Sequence, residues 1–307
     1  MYPVLFEIGS WRVSTYAVMV ALGGIVSFIL LSRRRARMGL VRADHFWLLV
    51  NAIIIGSFVG GRLVYLAKSV PLSSPDFFTE AVGLRRGFSG TGVLGGVVLG
   101  AGVLCWALRI NFLSVLDSIG LVAPLWNFFW KLGCLGAGCC YGRPAPPSLA
   151  WSVTFTHPRA LVPADLLGCP LHPAQLYEAL GSLCVAGFLY FVLLRRLDAG
   201  RLRDGTLAIA FFALHVCVKV VTGHYRGDTP AGGSGIDLGQ AFSLLLLASA
   251  VALLVVLQRR RGPPARPQPP EQGPLAEPQP LTEPRSPTEP QPLTEPQSPA
   301  EPQPPQA

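Results

Sequence analysis

The sequence predicts an all-α polytopic membrane protein of about seven transmembrane helices, with the N-terminus outside, the C-terminus in the cytoplasm and a small head segment on the outer side. Three observations carry this expectation. Half of the 307 residues are apolar and 14% are charged, more apolar surface than a soluble chain has a core to bury. Apolar runs of spanning length, roughly 20 residues, recur from Val13 to Leu257. The dense arginine clusters follow alternate runs, as the bias of basic residues toward the cytoplasm requires.

The spans follow in order. Val13 to Ser32 is chased at once by Arg33, Arg34, Arg35 and Arg37, which places that end inside and the N-terminus outside. No cleavable leader is expected, because the basic cluster follows the first apolar run instead of preceding it. Phe46 to Ala67 then runs outward, Gly90 to Leu108 inward to Arg109, and Phe112 to Trp130 outward. Leu176 to Leu194 comes in and stops at Arg195, Arg196, Arg201 and Arg203; Thr206 to Val221 goes out; Leu238 to Leu257 comes in to Arg259, Arg260 and Arg261. Every dense basic cluster falls on one side. Gly56 and Gly60 in the second span, and Gly92, Gly96 and Gly100 in the third, form small-residue stripes. Such stripes let helix backbones approach closely in lipid, and the alternative is a crevice for an acyl chain.

The domains are expected to be a membrane domain over 1–261, with its head at about 131–175, and a tail over 262–307. The tail repeats Glu-Pro-Gln-Pro-Leu-Thr with minor variations, has no core to bury and is expected to be a disordered cytoplasmic extension. It holds six Glu against two Arg, so residues 1–261 carry +12 where the whole chain carries +8. This surplus sits at the ends of apolar runs and not along a soluble face, which argues against nucleic acid as a partner.

Of seven cysteines, Cys105, Cys184 and Cys217 lie inside apolar runs and read as small buried hydrophobes. Cys134, Cys139, Cys140 and Cys169 fall in or beside the head segment. A disulfide involving Cys169 and packed free thiols both remain open, and Cys-x4-Cys-Cys is poor spacing for zinc. No metal and no other cofactor is expected.

Ionisable residues in or at the edge of spans are functional suspects. Arg62 sits near the outer end of the second span, where it either snorkels to the interface or waits for an anion such as a lipid phosphate. Lys131, Arg143 and Arg226 come to the same outer level from three other segments. Together these four cations are candidates for a phosphate clamp, the arginines bidentate and the lysine a point charge. At the mouth of the fifth span, Pro173 can open the helix after an extended His172. Gln175 and Glu178 then lie one turn apart on one face, with Tyr177 between them.

These residues carry a resemblance. The sequence over about 1–257 resembles the prolipoprotein diacylglyceryl transferase family through Phe6-Glu7-Ile8-Gly9 running to Tyr16, Gly61-Arg62-Leu63-Val64-Tyr65 and Leu94-Gly95-Gly96. It continues with Gly133, Gly138, Gly142-Arg143, His172-Pro173-Ala174-Gln175-Leu176-Tyr177-Glu178, Arg226 and Gly239-Gln240. The His-Pro-x-Gln-Leu-Tyr-Glu run is the most specific of these. The family's head signature usually reads Gly-Arg-x-Gly-Asn-Phe-x-Asn-x-Glu-x-x-Gly. Here its arginine becomes Lys131, its asparagines Cys134 and Ala137 and its glutamate Cys139. A family histidine in the third span falls on Gly90, and a glutamate before the arginine-bearing loop on Gly223. The chain thus resembles a divergent, cysteine-containing branch.

The resemblance implies a multi-pass enzyme of the bacterial inner membrane. Such an enzyme moves diacylglyceryl from phosphatidylglycerol to the lipobox cysteine thiol of lipoprotein precursors and releases glycerol phosphate. Its partners would then be membrane lipid and those precursors. Arg143 and Arg226 are expected to bind the phosphate, with Arg62 and Lys131 in support, and His172 to handle the proton or the headgroup. Tyr16 is expected at the headgroup, with Gln175, Tyr177 and Glu178 also binding substrate. A divergent acceptor, or lipid binding without catalysis, are the alternatives.

Overall fold

A short antiparallel hairpin, β1 (Val4–Ile8) and β2 (Trp11–Ser14), leads into the first helix. Ser14 ends the hairpin and starts the helix, its hydroxyl accepting a hydrogen bond from Ala17 N at 3.1 Å, which satisfies one of the amides a helix start leaves over. The helices are α1 (Thr15–Arg33), α2 (Ala43–Ser69), α3 (Gly90–Leu108), α4 (Phe112–Ala137), α5 (Ala174–Asp198) and α6 (Thr206–Gly223). A π-helical turn over Leu189–Leu194 lies within α5. The computed structural model describes residues 3–9, 11–69, 87, 89–228, 248 and 252.

Among the described residues all six helices are long and apolar enough to cross a membrane, so the chain is a mostly helical, multi-pass membrane protein. The seventh run, Leu238 to Leu257, lies outside the described residues apart from Ala248 and Ala252, and so does the tail. The outward faces stay apolar: Ile54, Ile55, Leu99, Val103 and Trp106 are all exposed, as lipid-facing side chains are.

The basic ends of the spans meet on one side of the bundle. Arg34 pairs with Asp198 at 3.2 Å, Arg37 with Asp204 at 2.8 Å, and Asn111, the N-cap of α4, donates to the same Asp204 at 2.7 Å. Asp117 of α4 also caps a neighbour. Its carboxylate accepts from Gly205 N at 2.7 Å and Ala208 N at 3.0 Å, supplying to the start of α6 what a glycine N-cap has no side chain to supply.

The glycine stripes form a packing seam between α2 and α3. A Cβ on Gly96 would stand 1.9 Å from the Gly56 carbonyl oxygen, and one on Gly60 2.3 Å from that of Gly92. Backbone lies against backbone there, with no space left for an acyl chain between them.

One boundary moves. The fourth span, expected to end at Trp130, continues as α4 to Ala137, because Lys131 meets a carboxylate inside the bundle and has no need to leave it. The head segment therefore begins at Gly138, whose φ of +81° ends the helix in a left-handed turn that glycine adopts at least cost.

Candidate active site

The site is organised by a short extended segment, residues 141–145, laid between two others. On one side Arg143 N donates to the Tyr225 carbonyl at 2.8 Å and Gly227 N to the Tyr141 carbonyl at 2.9 Å. On the other, His172 N donates to the Arg143 carbonyl at 2.9 Å and Ala145 N to the Pro170 carbonyl at 2.8 Å. Leu171 in turn pairs with Val153 in the hairpin of β3 (Val153–Thr154) and β4 (Pro170–Leu171). Backbone pairing thus draws Arg143, His172 and Arg226 from three distant stretches of chain onto one ribbon. Gly142 makes it possible: a Cβ there would stand 2.0 Å from the His172 carbonyl oxygen. Gly142→Ala must push the strands apart, and since misplacement by about 1 Å costs on the order of 10²-fold in rate, a loss of that size is expected in whatever reaction the site carries, with the chain still inserted.

The two arginines are held differently. Arg226 makes two charge-assisted hydrogen bonds to Asp228, at 2.8 and 2.7 Å. Arg143 donates through Nε to the Arg226 carbonyl at 3.0 Å, and among the described residues no partner engages its terminal nitrogens. That leaves the fork of Arg143 available for a bidentate anion.

Beneath the ribbon lies an ion triad. Glu178, 2% exposed, accepts from Lys131 at 3.1 Å and makes a very short contact with Lys219. Asn127 stands 3.4 Å from the same carboxylate and donates to Ser182 at 2.7 Å. The triad joins α4, α5 and α6. Lys131, expected at the surface beside three other cations, is instead 5% exposed and sits within the triad. Four cations around the site, Lys131, Lys219, Arg143 and Arg226, face two carboxylates, Glu178 and Asp228, so an excess of positive charge awaits an anion.

Tyr177 is the hub of an aromatic cluster. Its hydroxyl accepts from Trp151 Nε1 at 2.9 Å and meets His172 Nδ1 at 3.3 Å, while the ring of Tyr225 stands 5.2 Å from that of His172 and 5.3 Å from that of Tyr177. These four side chains line a cavity of about 650 Å³ that continues between α5 and α6 past Val218 and Val221. One end is polar and aromatic, the other apolar.

Gln175 is 1% exposed and donates through Nε2 to the Cys139 carbonyl at 2.9 Å. Tyr16 of α1 packs against Gly133, within electrostatic reach of Cys134, Cys139 and Cys140. Arg62, 5% exposed, donates to the Gly87 carbonyl at 3.1 Å and lies over the Tyr65 ring at 5.2 Å, so it is placed in the α2–α3 hairpin. All seven cysteines are free, and the Cys169 thiol turns to the Asp165 carbonyl at 3.7 Å, away from the other three. Hydrogen bonds from Cys134 and Cys139 hold the Cys140 thiol below its ordinary value against the opposing effect of burial, and the fields of Lys131 and Arg226 add to this.

Lys219, Asn127, Trp151 and Tyr225 do not stand out in the sequence reading. A lysine near the end of an apolar run is the available signal for the first; the aromatics carry none.

A bundle of lipid-facing helices that carries surplus positive charge beside a half-polar, half-apolar cleft defines a multi-pass membrane protein with a cationic, amphiphilic site. Residues 3–256 match the family model described as prolipoprotein diacylglyceryl transferase, and the chain belongs to that family. It is similar to proteins named phosphatidylglycerol–prolipoprotein diacylglyceryl transferase from Clostridium tetani (28% identity, 80% of this chain and 94% of that one), Azospirillum brasilense (30%, 84% and 95%) and Rhodospirillum rubrum (31%, 84% and 93%).

Proposed function

We propose that the protein transfers the diacylglyceryl group of phosphatidylglycerol to the cysteine thiol of lipoprotein precursors, at the outer face of the bacterial inner membrane. The observation that carries this reading is the ribbon that sets Arg143 and Arg226 beside a cleft whose far wall is apolar. A phospholipid has the matching halves. Its phosphate meets the arginines and its acyl chains follow α5 and α6 toward lipid.

The reaction joins the acceptor sulfur to the glycerol carbon and breaks that carbon's bond to the phosphate oxygen. Two demands follow: the departing phosphate gains charge, and the thiol must lose its proton. Preorganised cations meet the first, because they are already aimed where charge grows. Arg143 supplies the open fork; Arg226, held by Asp228, orients it through its carbonyl; the Lys131–Glu178–Lys219 triad keeps the floor positive. His172, whose ring nitrogen meets the Tyr177 hydroxyl at 3.3 Å, is placed to take the thiol proton, and Gln175 fixes the thiol-bearing turn. Tyr16 and Arg62 complete the headgroup surroundings in this reading.

The test is lipidation in cells depleted of their own transferase. Restoration of diacylglyceryl transfer to a precursor is expected. Correct insertion of the chain with no restoration would instead favour a different acceptor.

A further inference from the structure

The head signature brings three thiols together. Gly138 turns the chain back at the end of α4, so Cys139 and Cys140 return over Cys134, one helical turn earlier. The three sulfurs lie within 4.8 Å of one another. Two sulfurs each about 2.3 Å from one zinc ion stand roughly 3.8 Å apart in a tetrahedral site, so the triangle needs only a small contraction to close on an ion. Chain spacing alone hid this, because the left-handed turn does the converging.

The turn is held in place from outside. Cys140 sits at φ +54°, an uncommon conformation for a residue with a side chain, and such strain persists where the surroundings over-determine it. Gln175 clamps the Cys139 carbonyl from α5, and the oxygen of the same amide is buried with no partner. Gly142 ties the following residues into the ribbon. Cys134 is buried while Cys139 and Cys140 are half-buried, which leaves one side of the triangle approachable. Among the described residues no fourth histidine, cysteine or carboxylate joins the three. Lys131 and Arg226 lie close enough to act on Cys140 electrostatically and offset the negative charge that three thiolates would gather.

We propose that Cys134, Cys139 and Cys140 bind one zinc ion through three thiolates and leave its fourth position open to a thiol from outside the chain. Three protein ligands with one open position is the pattern of catalytic zinc sites, and soft thiolates select such a metal. The open position, and it alone, rests on the transfer reaction proposed above. On binding, the acceptor thiol gives up its proton, which passes to His172 as in the transfer reaction proposed above, since a coordinated thiol is held deprotonated. Its sulfur pair then forms the carbon–sulfur bond as the carbon–oxygen bond breaks, and the electron pair of that bond leaves on the phosphate. The thioether formed is neutral and binds metal weakly, which frees the product.

The test uses the full chain purified in detergent and dialysed. About one zinc per chain is expected, with near-complete loss in the Cys139→Ser/Cys140→Ser double variant and no change in Cys169→Ser. Cobalt(II) added to metal-free wild type should give the intense visible absorption of a tetrahedral thiolate site. That spectrum should shift saturably with a short peptide carrying one cysteine, and not with its serine analogue. No zinc and no cobalt spectrum in wild type overturns the site, as does binding of copper(I) alone; a spectrum indifferent to the cysteine peptide overturns the open position. Full transfer by the double variant in depleted cells would show that the acceptor thiol does not use the metal. Stoichiometric zinc in a chain that fails to lipidate any precursor would leave the site standing and sink the transfer reading.

Discussion

Glu178→Ala is expected to produce the largest loss of stability of any single replacement in the bundle. The carboxylate is buried between Lys131 and Lys219, and its removal leaves two ammonium groups from α4 and α6 facing each other with nothing between them. Removing one partner of a buried ion pair costs about 3–5 kcal/mol, because the remaining charge stays desolvated. Here one removal strands Lys131 in the interior and leaves the half-buried Lys219 facing it. Unfolding in detergent, followed by helicity against denaturant, should show that shift. Lys131→Met should be milder, since Glu178 keeps Lys219, and the Glu178→Ala/Lys131→Met double variant should recover part of the loss. A Glu178→Ala protein as stable as wild type would mean that the triad does not join the three helices energetically.

Arg143→Ala is the counterpart for activity. Its backbone makes both ribbon hydrogen bonds, to Tyr225 and His172, so truncation of the side chain leaves the sheet intact. What disappears is the guanidinium fork. Deleting one preorganised donor to developing charge costs about 10²–10³-fold in turnover, and that loss is expected in transfer of diacylglyceryl to a precursor peptide in membranes, with unfolding unchanged. Arg143→Lys should restore little, because an ammonium group cannot grip two oxygens in a plane. The surface pair of Arg159 with Glu7, at 2.7 Å and half-exposed on both sides, supplies the control: Arg159→Ala should leave turnover within error, as exposed pairs contribute little. Activity retained in Arg143→Ala would remove the arginine fork from the mechanism.

Much of the architecture is written along the chain. A span announces itself locally: some twenty apolar residues need lipid wherever they are, and basic clusters stop them. Six of the expected runs correspond to the six described helices, and Gly90 to Leu108 agrees to the residue. The glycine stripes are equally local, since their spacing of four shows which helix face can approach a neighbour. The suspect residues Arg143, His172, Gln175, Tyr177, Glu178 and Arg226 also stand out by residue type, as polar groups at positions where spanning has no use for them.

What each of those residues touches was decided only in three dimensions. Glu178 and Lys131 are separated by an entire head segment, and Lys219 belongs to a third helix. Nothing in one-dimensional spacing reveals that they neutralise one another, so Lys131 is expected in water and proves buried. Arg143 and Arg226 look equivalent as sequence, yet Asp228 occupies one and leaves the other open. The three head cysteines show the same limit most sharply. Their spacing argues against a shared ion, and a single left-handed glycine brings their sulfurs within reach of each other. Hydrophobic periodicity is a property of neighbours in sequence, whereas pairing of charges and convergence of ligands depend on the path of the backbone between them. The sequence therefore determined that this protein spans the membrane and where its polar residues lie along the chain, and the tertiary structure decided which of them are spent on one another and which are left open.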